Sequence, residues 1–216
     1  MLNYLNMEIK STIIESFFKS FVFSLLLCLY VGYSAVNRTQ SLLNEFGFIE
    51  FLILIYSVSA SLLFLIRVKP SVVSMNPVHW VVALFTSFSA HFLVREAAIN
   101  NSYLLLAANI FVILSILLGI VSTIVLGRSF GLFPALRKVK TKFVYQLVRH
   151  PMYLGAMLFK LGYVLKNPSV YNILVLAIII FLYDRRAEYE EGIMSHDSSY
   201  VDYLQEVKYR FLPGVY

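Results

Sequence analysis

With a single cysteine, Cys28, in 216 residues, the chain can build neither a disulfide framework nor a cysteine-based metal site. That residue lies inside an apolar run, where a lone thiol serves as a small filler. Charge is scarce as well: 14% of residues are charged, against about 25% in a soluble domain. Hydrophobic residues make up 59%, and the mean hydropathy is +0.75. These values exclude an ordinary soluble surface and lead to a polytopic membrane protein. There is no internal repeat and no low-complexity linker. Glu8, Lys10 and Glu15 precede the first apolar run and no Ala-x-Ala site follows it, so no cleaved signal peptide is expected.

Acid is missing altogether between Gly127 and His150, a segment holding Arg128, Arg137, Lys138, Lys140, Lys142 and Arg149. Most of the net charge of +6 gathers there, and the positive-inside rule makes that segment cytoplasmic. A basic segment of this kind also suits anionic headgroups, so membrane lipid is an expected partner and nucleic acid is not.

A helix rising 1.5 Å per residue needs about 17–25 apolar residues to cross the hydrocarbon. Phe21 to Val36, Phe48 to Ile66, Val78 to Val94 and Tyr103 to Leu126 are the four runs predicted to span. Counting back from the basic segment puts Arg67 and Lys69 inside, the Arg38 to Glu50 connection outside, and the N-terminus inside. At the end of the third span, His91 and Arg95 share a helical face beside Glu96, which reads as an interfacial cluster. Two shorter runs, Met152 to Leu165 and Val170 to Tyr183, flank Lys166-Asn167-Pro168-Ser169, whose Asn-Pro pair signals a turn. They form a predicted helical hairpin, with Lys160 in its first arm snorkelling toward the turn. Beyond Tyr183 the chain becomes charged and tyrosine-rich. A helix through Tyr189, a break or kink at Gly192 and a second helix from about Ser198 to Tyr209 are expected. The fold class is thus all-α and polytopic: about four spanning helices, a C-terminal hairpin and a cytoplasmic helical tail.

Several chemistry-bearing residues recur in a fixed order. Arg149-His150-Pro151 runs through Gly155; after the hairpin come Arg186, Glu190-Glu191, Tyr200-x-x-Tyr203 and Phe211-Leu212-Pro213-Gly214. This order resembles the isoprenylcysteine carboxyl methyltransferase family and its wider group, which includes membrane phospholipid N-methyltransferases, over about Leu126 to Tyr216. The resemblance implies an S-adenosyl-L-methionine site at the cytoplasmic membrane surface. It sets Tyr145, His150, Pro151, Met152, Tyr153 and Glu190 on cofactor-binding positions, and Arg186 on the position assigned to the substrate carboxyl. Residues 1–126 are then a transmembrane scaffold and 127–216 the cofactor-binding and catalytic region, with Arg137 to Lys140 aligned to a further cofactor-contacting segment. One departure stands out: where the family commonly has glycine two residues before the tyrosine, this chain has Phe143. A glycine there would allow positive φ or close cofactor approach.

Methyl transfer is an in-line displacement, so a protein must align nucleophile, methyl and sulfur and exclude water; no metal is needed. Arg186 and Glu190 lie four apart on one helical face, yet the base precedes the acid, the weaker order for a simple ion pair. They are the candidate catalytic pair. Arg186 would grip a carboxylate through two parallel N–H bonds, and Glu190 would accept from cofactor hydroxyl or amino groups. Tyr145 and Tyr153 suit an adenine ring or a sulfonium, and Pro151 suits the first turn of a helix. Tyr200 and Tyr203 read as packing of the last helix. The leading expectation is methylation of the carboxylate of a prenylated cysteine or similar lipophilic acid, by an integral, multi-pass membrane enzyme whose site faces the cytoplasm. A phospholipid amine acceptor would instead need a base, Glu191 or His150; a thiol acceptor would use Arg186 to lower its pKa. A nicotinamide-dependent reductase on a similar frame, or a non-catalytic membrane protein binding anionic lipid and a partner, stays open beside these.

Overall fold

The computed structural model describes Leu25, Leu26, Leu29, Tyr33, residues 48–95 and residues 101–215. Apart from those four helical positions, the first expected span lies outside the described residues, as do Cys28 and Glu96. The elements are α1 (Phe48–Ile66), β1 (Val72–Val73), α2 (Pro77–Phe88) running into a 3-10 turn (Ser89–Phe92), α3 (Ser102–Leu126), β2 (Ala135–Leu136), a 3-10 turn (Phe143–Gln146), α4 (Pro151–Lys166), α5 (Val170–Met194) and α6 (Ser198–Glu206).

The helix starts follow local chemistry. Asn76 accepts from Val78 N with Pro77 at the first helical position; Asn101 accepts from the amides of Tyr103 and Leu104; Ser169 and Asp197 do the same for α5 and α6. Each side chain satisfies an amide that the helix cannot. Gly127, at φ 49, ends α3 in a conformation that costs glycine nothing.

α3 and α4 pack closely through small residues. Ala108, Val112 and Ser115 are buried on α3 and face Gly162 and Gly155 of α4. A methyl group added at Gly162 would stand 2.8 Å from Val112 Cγ2 and 2.9 Å from Ala108 O; one at Gly155 would stand 3.1 Å from Ser115 O. Backbones approach this closely where dispersion, rather than water exclusion, holds helices together. The outward faces are apolar: Leu106, Ile110, Leu114 and Leu117 on α3, and Ile173, Leu174, Ile178 and Phe181 on α5, are all exposed. Inside α5, by contrast, Asn172, Arg186 and Glu191 are buried. Polar inside and apolar outside is the arrangement hydrocarbon requires and water penalises.

Among the described residues one helical stretch, Ser102–Ser129, is long and apolar enough to cross a membrane, and the apolar part of α1, Phe51–Ile66, is shorter. The expected span from Val78 to Val94 does not form as one helix. α2 stops after twelve residues at Phe88, and Leu93 is already extended. His91 therefore sits exposed on the 3-10 turn, its Nδ1 donating to Phe88 O, while Arg95 lies beyond any helix; the shared face expected for them is lost. Asn172, fully buried on α5, ties this extended segment down: its amide group bonds Val94 N, Val94 O and Asn167 O at 2.7 to 3.0 Å.

The hairpin turn falls where Asn-Pro marks it, between Lys166 and Val170. Its second arm does not end at Tyr183 or break at Gly192, however. α5 continues as one helix to Met194, because its charged half is held by Arg210 at Asp184 and Glu191 and by α2 at Arg186, and the roughly 1 kcal/mol cost of an interior glycine is outweighed. The predominantly helical plan is interrupted by one small antiparallel ladder, with Val72 opposite Leu136 and Val73 opposite Ala135. With Val68 N bonded to Arg128 O, it fastens the connection after α1 to the basic segment after α3.

Candidate functional site

The C-terminus reaches back to where α4 begins. Arg149 N and His150 N donate to Tyr209 O and Arg210 O at 2.9 and 3.0 Å, so the last residues lie along the mouth of the hairpin. Glu191 of α5 stands at this junction. Its carboxylate meets His150 Nε2 at 3.0 Å, Arg210 Nη2 at 2.9 Å and Arg149 Nε at 3.5 Å, and Arg210 also reaches Asp184 at 2.6 Å. Burial alone would raise the Glu191 carboxyl, but the His150 hydrogen bond and the two guanidinium groups hold it at about 2. As a proton acceptor at neutral pH it is therefore poor, whereas as a fixed brace for His150 it is well placed.

Beside this junction lies a polar recess of about 80 Å³. Tyr145, His150, Met152, Tyr153 and Glu190 line it, five of the six positions assigned to the cofactor; Pro151 is buried at the start of α4 and lines neither cavity. Glu190 accepts a hydrogen bond from the Tyr153 hydroxyl, and the His150 and Tyr153 rings stack at 5.2 Å. Arg137 and Arg149 form the basic side, each with a buried Nε that makes no hydrogen bond. Tyr200 and Tyr203 of α6 close the opposite side, and Tyr203 donates to Tyr145 O at 2.6 Å. Burial, then the nearby Glu190 and Glu191 respectively, push the Tyr145 and Tyr200 phenols up, so both stay neutral donors and aromatic faces at physiological pH.

Phe143, two residues before Tyr145, has φ 55 and its ring exposed. The chain thus takes the left-handed turn that a glycine would take freely, and Tyr145 still reaches the recess two residues later.

A second, larger cavity of about 330 Å³ lies behind the first, between α1, α3, α4 and α5. Ile53, Tyr56, Phe64, Ile116 and Phe159 give it an apolar wall, and Arg186 stands in its lining. Met152 and Tyr153 line both cavities and separate them. Arg186 is buried with its guanidinium 4.8 Å from the Tyr153 ring centroid. Its Nη1 donates to Ala83 O, Thr86 Oγ1 and Ser87 Oγ, and its Nη2 to Leu132 O, at 2.6 to 3.2 Å. A cation at the carboxyl end of α2 is favoured by the free carbonyls there. Nη2 makes one of its two possible bonds and Nε makes none, so the side-on edge of the guanidinium keeps donors to spare.

Lys160 departs from expectation too. It is buried, and its Nζ turns back toward Ala156 O and Tyr183 Oη, both at 3.3 Å, instead of toward the hairpin turn. Arg149, Asp184 and Arg210 carried no assigned role in the sequence; the closing Arg-Phe-Leu-Pro-Gly run was the available signal. Tyr56, Phe64 and Ile116 come from the half read as scaffold, and no local motif marks them.

Among the described residues no cluster of histidine, cysteine or carboxylate groups could hold a metal. No curated protein matches the chain. Residues 97–197, which take in α3 as well as the hairpin and so begin before the Leu126 boundary, match the family model described as phospholipid methyltransferase.

Proposed function

We propose that the chain is an S-adenosyl-L-methionine-dependent methyltransferase that seats its methyl donor in the polar recess and a lipophilic acceptor in the larger cavity, with transfer across the Met152–Tyr153 partition. The observation that carries this reading is the shared wall: five of the six residues that the resemblance sets on cofactor positions line one side and Arg186 the other. The donor set fits such a cofactor, a zwitterion bearing an added positive charge. Glu190 lines the recess together with the guanidinium groups of Arg137 and Arg149, so both signs of charge find a partner. At about 80 Å³ the recess holds part of a molecule of that size rather than all of it.

When bound, the cofactor supplies a methyl group on a sulfonium, open to in-line displacement. Glu190 holds hydroxyl or ammonium groups, kept in place by the Tyr153 hydroxyl. The neutral faces of Tyr145 and Tyr200 favour a neighbouring cation. Glu191 and Arg210 fix His150 at the start of α4, and α6 excludes water from the outer side. No acid lines the larger cavity among the described residues. A positive wall without a base suits an acceptor already ionised at neutral pH, the carboxylate of a prenylated cysteine or similar lipophilic acid. A phospholipid amine is the second reading, favoured by the description of the matching family model. Against it, Glu191 at about 2 does not take a proton from an ammonium. The N-terminal side of α4 and the basic segment then face the cytoplasm, in a multi-pass arrangement.

Calorimetry in detergent with S-adenosylhomocysteine tests the donor site: heat that Glu190→Ala abolishes is expected, and no heat from the unaltered protein would overturn the reading. A transfer assay with labelled donor against lipid-linked carboxylates, amines and thiols identifies the acceptor class. Methylation of amines alone would refute the carboxylate assignment.

A further inference from the structure

Lys160 sits in the middle of α4, buried, in the lining of the 330 Å³ cavity. Its Nζ meets only neutral groups: Ala156 O and Tyr183 Oη at 3.3 Å each, and the Tyr183 ring at 5.1 Å from the centroid. The Tyr183 hydroxyl spends its own proton on Thr86 O at 3.0 Å. An ammonium has three donors, and both bonds here are longer than a charge-assisted N–H···O bond. Among the described residues no carboxylate pairs with it, although a cation placed in an apolar interior ordinarily needs one. Arg186, the other cation of this cavity, is already held by four bonds to α2 and to Leu132 O. Lys160, held only by two long bonds to neutral groups, has donor capacity to spare and lines an apolar chamber.

We infer that Lys160 reads the negative charge of the acceptor: it binds the anionic head, carboxylate or phosphate, of a molecule whose apolar tail lies along Ile116 and Phe159. This deepens the proposed function and rests on its assignment of the larger cavity to the acceptor. Lys160 selects the ligand by charge, while Arg186 chiefly holds α5 to α2 and adds to the positive field.

The test uses the full chain in a neutral maltoside detergent, with cis-parinaric acid and its methyl ester as fluorescent probes. The acid is expected to bind at least about tenfold more tightly than the ester, the effect of one charge-assisted hydrogen bond. Lys160→Met should erase that preference and Lys160→Arg retain most of it. Displacement of the acid by laurate or dodecyl phosphate, whichever is stronger, and not by dodecanol, supports the inference and distinguishes the two anions. An equal affinity for acid and ester, or an undiminished preference in Lys160→Met, overturns it. S-adenosylhomocysteine calorimetry on the same samples confirms that Lys160→Met is folded and separates the two readings. Charge preference without donor heat sinks the methyl-transfer reading alone, whereas donor heat without charge preference sinks the assignment of Lys160 alone.

Discussion

Glu191→Gln removes one charge from the junction of α4, α5 and the C-terminal segment while preserving the shape of the side chain. The Glu191 carboxyl moves from an ordinary 4.5 to about 2, with the side chain only 11% exposed. A shift of that size corresponds to about 3 kcal/mol of folding stability at neutral pH. The sign follows from the direction. A carboxyl whose folded pKa is depressed contributes fully above its unfolded value and loses that contribution as pH falls toward the folded one. The difference between the two proteins should thus be complete at pH 7, shrink below about pH 4.5 and vanish near pH 2. Denaturant titration in detergent, followed by circular dichroism at several pH values, measures it. A Glu191→Gln protein within about 0.5 kcal/mol of the unaltered one at pH 7, or a gap that persists unchanged into acid, would refute the brace. Affinity for S-adenosylhomocysteine offers a second readout of the proposed donor site, since a released His150 loses its fixed place on the wall of the recess.

Two glycines of the last hairpin should respond in opposite directions. Gly162→Ala drives a methyl group to 2.8 Å from Val112 and should cost about 1–3 kcal/mol in the same titration, whereas Gly192→Ala meets nothing within 4 Å and should gain up to about 1 kcal/mol. Phe143→Gly relieves a left-handed bulky residue, worth about 1–2 kcal/mol, against roughly 0.5–1 kcal/mol of added chain entropy; a slight net stabilisation is expected, and a clear loss would mean that the exposed ring holds something in place. Asn172→Ala leaves Val94 N–H and two carbonyls without their side-chain partner, and should lower the thermal midpoint by an amount equivalent to about 1–3 kcal/mol.

Turn chemistry was the most legible part of the chain. Asn167-Pro168 marked the hairpin within a residue of its observed ends, and Pro151 marked the start of α4. The bounds of α1 and α3 followed from hydropathy, since nothing competes with an uninterrupted apolar run. The third span failed because hydropathy measures transfer and not conformation: residues 89 to 94 are apolar enough, but Asn172, 78 positions away, holds Val94 in an extended path. Gly192 misled in the opposite sense, a local helix breaker overruled by ion pairs formed across the fold. At the site, ordered motifs gathered the polar recess into view. The larger cavity was hidden because Tyr56, Phe64 and Ile116 are unremarkable on their own helices and converge only after α1, α3 and α4 have packed. The occupied state of Arg186 was equally invisible, as it depends on where α2 happens to stop.

The Met152–Tyr153 partition has a kinetic consequence if the chambers hold the reactants proposed for them. One reagent is then supplied at a bulk molarity and the other at a mole fraction in two dimensions, so diluting the protein's vesicles with inert phospholipid should slow turnover at constant total acceptor. The spent donor and the modified lipid would depart by different doors, and neither need wait for the other.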